Sequence, residues 1–311
     1  MKIAFFLIEE ESRERFLEKF GDHEVKIFEE ALNEDNIEKV RDVEVLVSRP
    51  VGMKTEFNRE TLERFPNLRF ILTMSTGFDH VDLEYCKERD IVVSNIPSYS
   101  EESVGEHVFA LLLAMSKKIP ESLIKAENVG LDPKRIRGFE LKGRTLGVIG
   151  GGHIGLKVIR IAKGFGMKVK VYDVVFNEEA SKELGFEYVE LGELIEESDV
   201  ISLHAPYNDN TYHLLKDNLS RVKEGCVIIN TARGELIDHD VLIELLKSGR
   251  ISAGLDVFEE DRLGELINLD NVILTPHNAA NTKEAREIMI DGSIRVVEGF
   301  VEGRMVNVVG W

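Results

Sequence analysis

The chain has no glutamine, only two cysteines and seven prolines, and no apolar run long enough to cross a bilayer. Each shortage excludes something. A spanning helix needs roughly 18 or more consecutive apolar residues. The apolar start, Ile3 to Ile8, is cut off by Glu9-Glu10-Glu11 and has no small-residue cleavage site. It therefore reads as a first buried strand, not a secretion signal, and a cytoplasmic location is the expectation. Cys86 and Cys226 stand outside any metal-ligand spacing, so no metal site is expected and a reducing compartment suits them. Positive charge is scarce too: 39 Lys and Arg face 57 Asp and Glu, a net charge of −18. That field repels nucleic acid and anionic membranes, leaving a small molecule as the expected partner. An anionic substrate must then be caught by local cations. Missing glutamine beside abundant Glu and Lys points to a thermophilic source.

What is present is a folded α/β chain. At 311 residues it is too long for one ordinary core. Short apolar runs alternate with amphipathic segments, the mark of βαβ units and parallel sheets. Strands are expected at Ile3–Ile8, Val25–Phe28, Val45–Ser48, Phe70–Thr73 and Val92–Ser94. A second set is expected at Thr145–Ile149, Lys168–Tyr172, Val200–Leu203, Val227–Asn230, Ala253–Asp256 and Val272–Leu274. Charged helices are read over Arg13–Phe20 and Glu56–Phe65. Two junctions stand out. Near Ile96-Pro97-Ser98 a strand ends, and Ser100 can cap a helix that runs through Val104, Val108, Leu111, Leu112 and Met115 to Pro120. Its wide apolar stripe predicts packing between domains or against a second copy, hence a homodimer. The second junction, Thr275-Pro276-His277, precedes a long helix from about Thr282 to Val301. Ala126–Gly138 reads as a surface loop.

The chemistry-bearing motif is G-x-G-x-x-G at Gly150, Gly152 and Gly155, after an apolar strand and opening a helix. The first glycine permits the tight turn, the second admits a pyrophosphate against backbone, and the third lets helix press on strand. The helix start at His153 and Ile154 offers free N–H groups to phosphate. Asp173 ends the next strand, eighteen positions after Gly155, where a carboxylate would accept bonds from the adenosine ribose. Val174-Val175-Phe176 follow without a cation for a 2′-phosphate, so NAD is expected over NADP.

Taken with Ser75-Thr76-Gly77-Phe78-Asp79-His80, Asn95-Ile96-Pro97-Ser98-Tyr99, Ser103-Val104-Gly105-Glu106-His107, His204-Ala205-Pro206, Asn230-Thr231-Ala232-Arg233-Gly234, Gly254-Leu255-Asp256-Val257-Phe258-Glu259 and Thr275-Pro276-His277, the chain resembles the D-isomer-specific 2-hydroxyacid dehydrogenases along essentially its whole length. The resemblance implies two Rossmann-like doubly wound parallel-sheet domains. Residues 1–98 plus 282–311 would form a discontinuous substrate domain, and 99–281 the NAD domain. It implies hydride transfer between NAD(H) and C2 of a small 2-hydroxy acid or 2-keto acid. Arg233 would bind the carboxylate and polarise the ketone, and His277 would act as acid–base. Asp256 would hold the nicotinamide carboxamide, with Thr231 and Ala232 bordering the ring and His204 and Pro206 contacting cofactor. Thr76 and Gly77 would lend N–H groups to the substrate carboxylate, and Tyr99 would wall the pocket. His107, on the apolar helix, reads as packing.

Two departures bear on function. The family's Glu five residues after the matched aspartate is Asp261 here, one methylene shorter, with Glu260 the fallback partner for His277. The position where D-lactate-specific members tend to carry an aromatic is Ala280. Two other readings share the motifs: an NAD(H)-sensing binding protein with vestigial activity, and a formate- or phosphite-type dehydrogenase on the same fold.

Overall fold

A computed structural model describes residues 1–50, 57–128 and 136–310. The chain divides into two compact units, Met1–Tyr99 with Thr282–Trp311, and Ser100–Asn281.

The first unit is built on a five-stranded sheet, every described pair parallel. Its strands are β1 (Lys2–Phe5), β2 (Glu24–Ile27), β3 (Val45–Ser48), β4 (Phe70–Thr73) and β5 (Val92–Ser94), in the order β2-β1-β3-β4-β5. Alternation along β1 sends Ala4 into one apolar cluster and Ile3 and Phe5 into another. The second cluster is completed from far along the chain by the helix Lys283–Val301, which buries Met289, Ile290, Val296, Val297 and Phe300. Phe300 stacks on Phe70 with ring centroids 4.3 Å apart. Thr282 caps that helix, its hydroxyl accepting from the Ala285 N–H.

The second unit holds seven parallel strands: β6 (Thr145–Ile149), β7 (Lys168–Tyr172), β8 (Glu187–Tyr188), β9 (Val200–Leu203), β10 (Cys226–Asn230), β11 (Ile251–Leu255) and β12 (Val272–Leu274). Their order is β12-β11-β10-β9-β6-β7-β8. The strand order reverses between β6 and β9, and in open α/β sheets ligands bind at the carboxyl edge of such a switch point. Both faces are buried: Leu146, Val148, Val200, Val227 and Ile229 pack on one side, and Ile149, Ile201, Leu203 and Ile228 on the other. That two-sided burial explains the continuous apolar strands. Each fully buried side chain contributes roughly 1.5–3 kcal/mol.

Several expectations need correcting. β1 stops at Phe5, because Leu7 takes a left-handed φ of 60°. The helix after Ser100 spans Glu101–Ser116 and ends before Lys118, at φ 55°. Pro120 then sits in the first turn of a new helix, Ile119–Asn128, where its missing N–H costs nothing. The expected loop at 126–138 is thus helical up to Asn128, with 129–135 outside the described residues. Ser100 occupies the cap position, but its side chain makes no capping bond. The helix read from Glu56 is described over Arg59–Glu63, capped by Asn58, and Glu56 itself lies outside the described residues. The two-residue strand β8 was not anticipated.

Candidate active site

The glycine motif forms a turn between β6 and the helix His153–Gly164. Gly150 adopts φ 97°, and a Cβ there would lie 2.6 Å from both the Ala205 nitrogen and the His204 carbonyl carbon. A Cβ on Gly155 would run into the Gly150 carbonyl oxygen. Around Gly152 there is open space, and this residue caps the helix without a side-chain bond. Backbone N–H groups at a helix start with open space before them fit a pyrophosphate.

Asp173, just past β7, meets this turn: its Oδ2 accepts from the Gly151 N–H at 2.6 Å and its Oδ1 from the Val175 N–H at 2.9 Å. His153 is exposed, its Nδ1 3.6 Å from Glu101, and Ile154 follows it half-buried. His204 ends β9's path, its Nε2 2.8 Å from the Ser202 hydroxyl. Burial drives its pKa down to about 3, so the ring is neutral at physiological pH. Pro206 is exposed, and its carbonyl accepts from Thr211 at 2.7 Å. Thr231 Oγ1 is buried without a hydrogen-bond partner, an orphaned donor where the nicotinamide ring was expected.

Arg233 follows β10 by three residues, and the buried carboxamide of Asn230 fixes the intervening turn. Its Oδ1 accepts from the Ala232 N–H at 3.0 Å, and its Nδ2 donates to the Arg233 carbonyl at 2.8 Å. The Arg233 guanidinium also donates to the Ala232 carbonyl at 2.8 Å. Gly234 lies so close to Phe258 and Glu259 that any Cβ would fall within 3.0 Å of their backbone.

His277 is exposed and left-handed, at φ 51°. A non-glycine residue in this region carries strain of order 1–3 kcal/mol, held only where the surroundings dictate it. They do here, through Asp256. The Asp256 Oδ1 accepts from the Thr275 hydroxyl at 2.5 Å and the Asn278 N–H at 3.0 Å, and Oδ2 accepts from the Ala279 N–H at 2.9 Å. The Asp256 carbonyl takes the His277 N–H at 2.9 Å. Burial alone would raise the Asp256 pKa, but the His107 ring nearby and hydrogen bonds from Thr275, Ala279 and Asn278 outweigh it and hold the carboxylate below its usual range. The residue assigned from sequence to nicotinamide thus has its carboxylate engaged by the turn bearing His277.

The three carboxylates of the acidic run have different surroundings. Glu260 and Asp261 are both exposed, on the short 3-10 turn Glu260–Arg262. Glu259 faces imidazoles: its carboxylate is 3.5 Å from His239 Nδ1 and 3.8 Å from His213 Nε2. Arg262 pairs with Asp240. In the first unit Thr76 and Gly77 form the turn after β4. The Thr76 carbonyl accepts from Asn95 at 2.7 Å, and the Gly77 carbonyl from the Ser75 hydroxyl at 2.6 Å. Tyr99 packs, half-buried, on that unit's core. Asn230, Thr275 and Ser103, which shape these turns, were not singled out from sequence. A polar residue ending the apolar run Cys226–Asn230 was the one available signal.

A doubly wound sheet with an open glycine turn at its switch point defines a dinucleotide-binding fold. The model for the D-isomer specific 2-hydroxyacid dehydrogenase NAD binding domain matches residues 109–279, and the chain belongs to that family as an NAD-dependent 2-hydroxyacid dehydrogenase. It is 39% identical to a glyoxylate reductase of Thermococcus litoralis, over 86% of this chain and 84% of that one. It is 38% identical to a hydroxypyruvate reductase of Thermotoga maritima, over 85% and 87%. A D-lactate dehydrogenase from Aquifex aeolicus, solved with NAD and lactic acid, superposes with a TM-score of 0.88 at 37% identity, covering 97% of this chain and 96% of that one. Among the described residues no helix is long and apolar enough to cross a membrane, and no group of three or more His, Cys, Asp or Glu could hold a metal.

Proposed function

We propose that the protein reduces a small 2-oxo acid to the D-2-hydroxy acid, with Arg233 and His277 as its catalytic residues. With NADH held at the glycine turn, the cofactor would supply a hydride for C2 of the substrate. Arg233 grips the substrate carboxylate with its planar fork and draws electron density from the C2 carbonyl, which a point charge does less well. His277, as imidazolium, donates its proton to the oxygen as alkoxide develops; in the oxidative direction the neutral ring takes it back. Asp261, with Glu260 as the alternative, keeps that imidazole protonated in the resting state. On the cofactor side Gly150, Gly152, His153, Ile154 and Gly155 receive the pyrophosphate and Asp173 the ribose hydroxyls. His204, Pro206, Thr231, Ala232 and Asp256 border the nicotinamide half. Thr76 and Gly77 lend N–H groups to the carboxylate, and Tyr99 provides an aromatic wall.

The observation that carries this reading is the strained, fully braced turn at His277 in a chain that also holds a fixed Arg233. Leu7, Asp90, Lys118, His213 and Asn307 are also left-handed, so what supports His277 is the bracing by Asp256 together with the φ. Hydroxypyruvate and glyoxylate are the first candidate substrates, because the relatives at 38% and 39% identity are named for their reduction. A homodimer stays part of this reading, but the apolar stripe of Glu101–Ser116 that suggests it packs through Val108, Leu111, Leu112 and Met115 into the core of its own unit. Lys170 meets Glu187, Glu193 and Glu197 in one ion-pair network, in keeping with a thermophilic source.

The test is NADH consumption with pyruvate, hydroxypyruvate and glyoxylate. Turnover of at least one is expected; tight NADH binding with no turnover across the panel would instead mark a sensor of NAD(H). Asp261→Asn is expected to move the alkaline limb of kcat/KM for reduction to lower pH, because loss of the anion lowers the imidazole's pKa. An unmoved limb, with the shift appearing in Glu260→Gln, reassigns that role.

A further inference from the structure

The helix Glu101–Ser116 carries two polar side chains one helical turn apart, Ser103 and His107, and both end on the turn that bears His277. The buried Ser103 hydroxyl donates to the Ala279 carbonyl at 2.5 Å, on the far side of His277. His107 Nε2 lies 3.1 Å from the Thr275 hydroxyl oxygen, on the near side, and 3.5 Å from Asp256 Oδ1. Thr275 gives its own proton to Asp256 at 2.5 Å, so its oxygen accepts from His107. The proton order is therefore His107 Nε2–H to Thr275, and Thr275 O–H to Asp256. Such a chain polarises each bond and strengthens the next. The sequence reading of His107 as a packing residue is incomplete: the ring is part-buried and hydrogen-bonded.

The helix is itself held. A Cβ on Gly105, between the two polar residues, would lie 2.8 Å from Lys157 Cγ, so this stretch lies hard against the helix His153–Gly164 that opens the glycine turn. The pair thus acts from a rigid support on both ends of a five-residue segment whose middle residue has φ 51°.

We infer that Ser103 and His107 form a clamp that positions His277 for proton transfer, acting through Thr275, Asp256 and Ala279 and without touching substrate. This rests on the reading of His277 as acid–base, and it adds two positioning residues to that reaction. A displacement near 1 Å of a reacting group costs on the order of 100-fold in rate, so a clamp remote from the substrate has a large lever.

The test compares His107→Leu, which removes the donor, with His107→Gln, whose amide nitrogen reaches about as far as Nε2. Readouts are kcat and KM for the 2-oxo acid, NADH affinity, and amide exchange at Asn278 and Ala279. His107→Leu is expected to lower kcat roughly 10- to 100-fold, leave KM and NADH affinity nearly unchanged, and speed exchange at both amides. His107→Gln is expected to restore most of kcat and the slow exchange. Should His107→Leu fail to fold, Ser103→Ala carries the same readouts, with a smaller loss expected. The clamp is overturned if Leu and Gln behave alike, or if kcat and exchange stay at wild-type values while only thermal stability falls. A wild-type protein that turns over no 2-oxo acid removes the acid–base reading alone; exchange at Asn278 and Ala279 then judges the clamp by itself.

Discussion

Two turns on the carboxyl edge of the seven-stranded sheet solve the same backbone problem in opposite ways. After β6 the chain takes φ 97° at Gly150, where glycine makes that conformation free of Cβ strain. After β12 it takes φ 51° at His277, a residue with a Cβ, and the strain is offset by the hydrogen bonds that the Asp256 carboxylate accepts from Thr275, Asn278 and Ala279. The difference follows from what each turn must present. The glycine turn offers bare backbone to a phosphate, and any side chain would obstruct it. The histidine turn offers an imidazole, so its conformation has to be imposed from outside. One turn is encoded locally and the other by its neighbours.

If that contrast is right, the two turns break in different ways. The largest effect is expected from Asp256→Ala. It strands the buried Ala279 N–H together with the Asn278 N–H and Thr275 hydroxyl, at about 1–3 kcal/mol for a buried donor left unmade. Urea unfolding should show a loss of about 3 kcal/mol or more, and kcat should fall at least as far as in His107→Leu, whereas a loss below about 1 kcal/mol would mean the bracing is dispensable. Next comes Gly150→Ala, combining left-handed strain with a Cβ 2.6 Å from the Ala205 nitrogen. A weakening of NADH binding by about tenfold or more is expected, with a stability cost of order 1–3 kcal/mol. Unchanged NADH affinity would remove the pyrophosphate from this turn. The smallest effect on stability is the most discriminating: His277→Asn. Asparagine tolerates the left-handed region, so stability should hold or rise by up to about 1 kcal/mol, a Tm increase of roughly 2–4 °C, while activity collapses. A marked loss of stability would show that His277 is a structural residue.

The same contrast explains what could be read from sequence. Gly150, Gly152, Gly155 and Asp173 are legible because their role depends on residue type and spacing along one βαβ unit. Most strands were legible because burial on both faces leaves them continuously apolar. β8 escaped because Glu187–Tyr188 is too short to show any periodicity. Ser103 and Asp256 lie in recognisable motifs, but their grip on the 275–279 segment depends on chain separations of 176 and 23 residues, which no local pattern carries. The packing reading of His107 is incomplete for the same reason: an imidazole on an apolar helix gives no sign of the threonine 168 residues away that meets it. The acidic run shows the limit most plainly. The family resemblance singles out Asp261, with Glu260 as fallback, and only the fold turns Glu259 toward His239 and His213 while leaving Glu260 and Asp261 exposed.

The most direct test of the central claim is the rate of NADH oxidation by hydroxypyruvate, compared between the wild type and Arg233→Lys under identical conditions. The account predicts turnover to the D-hydroxy acid in the wild type and a fall in kcat/KM of roughly 100-fold or more in the variant, with NADH affinity preserved. A variant that retains near wild-type kcat/KM, or a wild-type product of the opposite configuration, would contradict it.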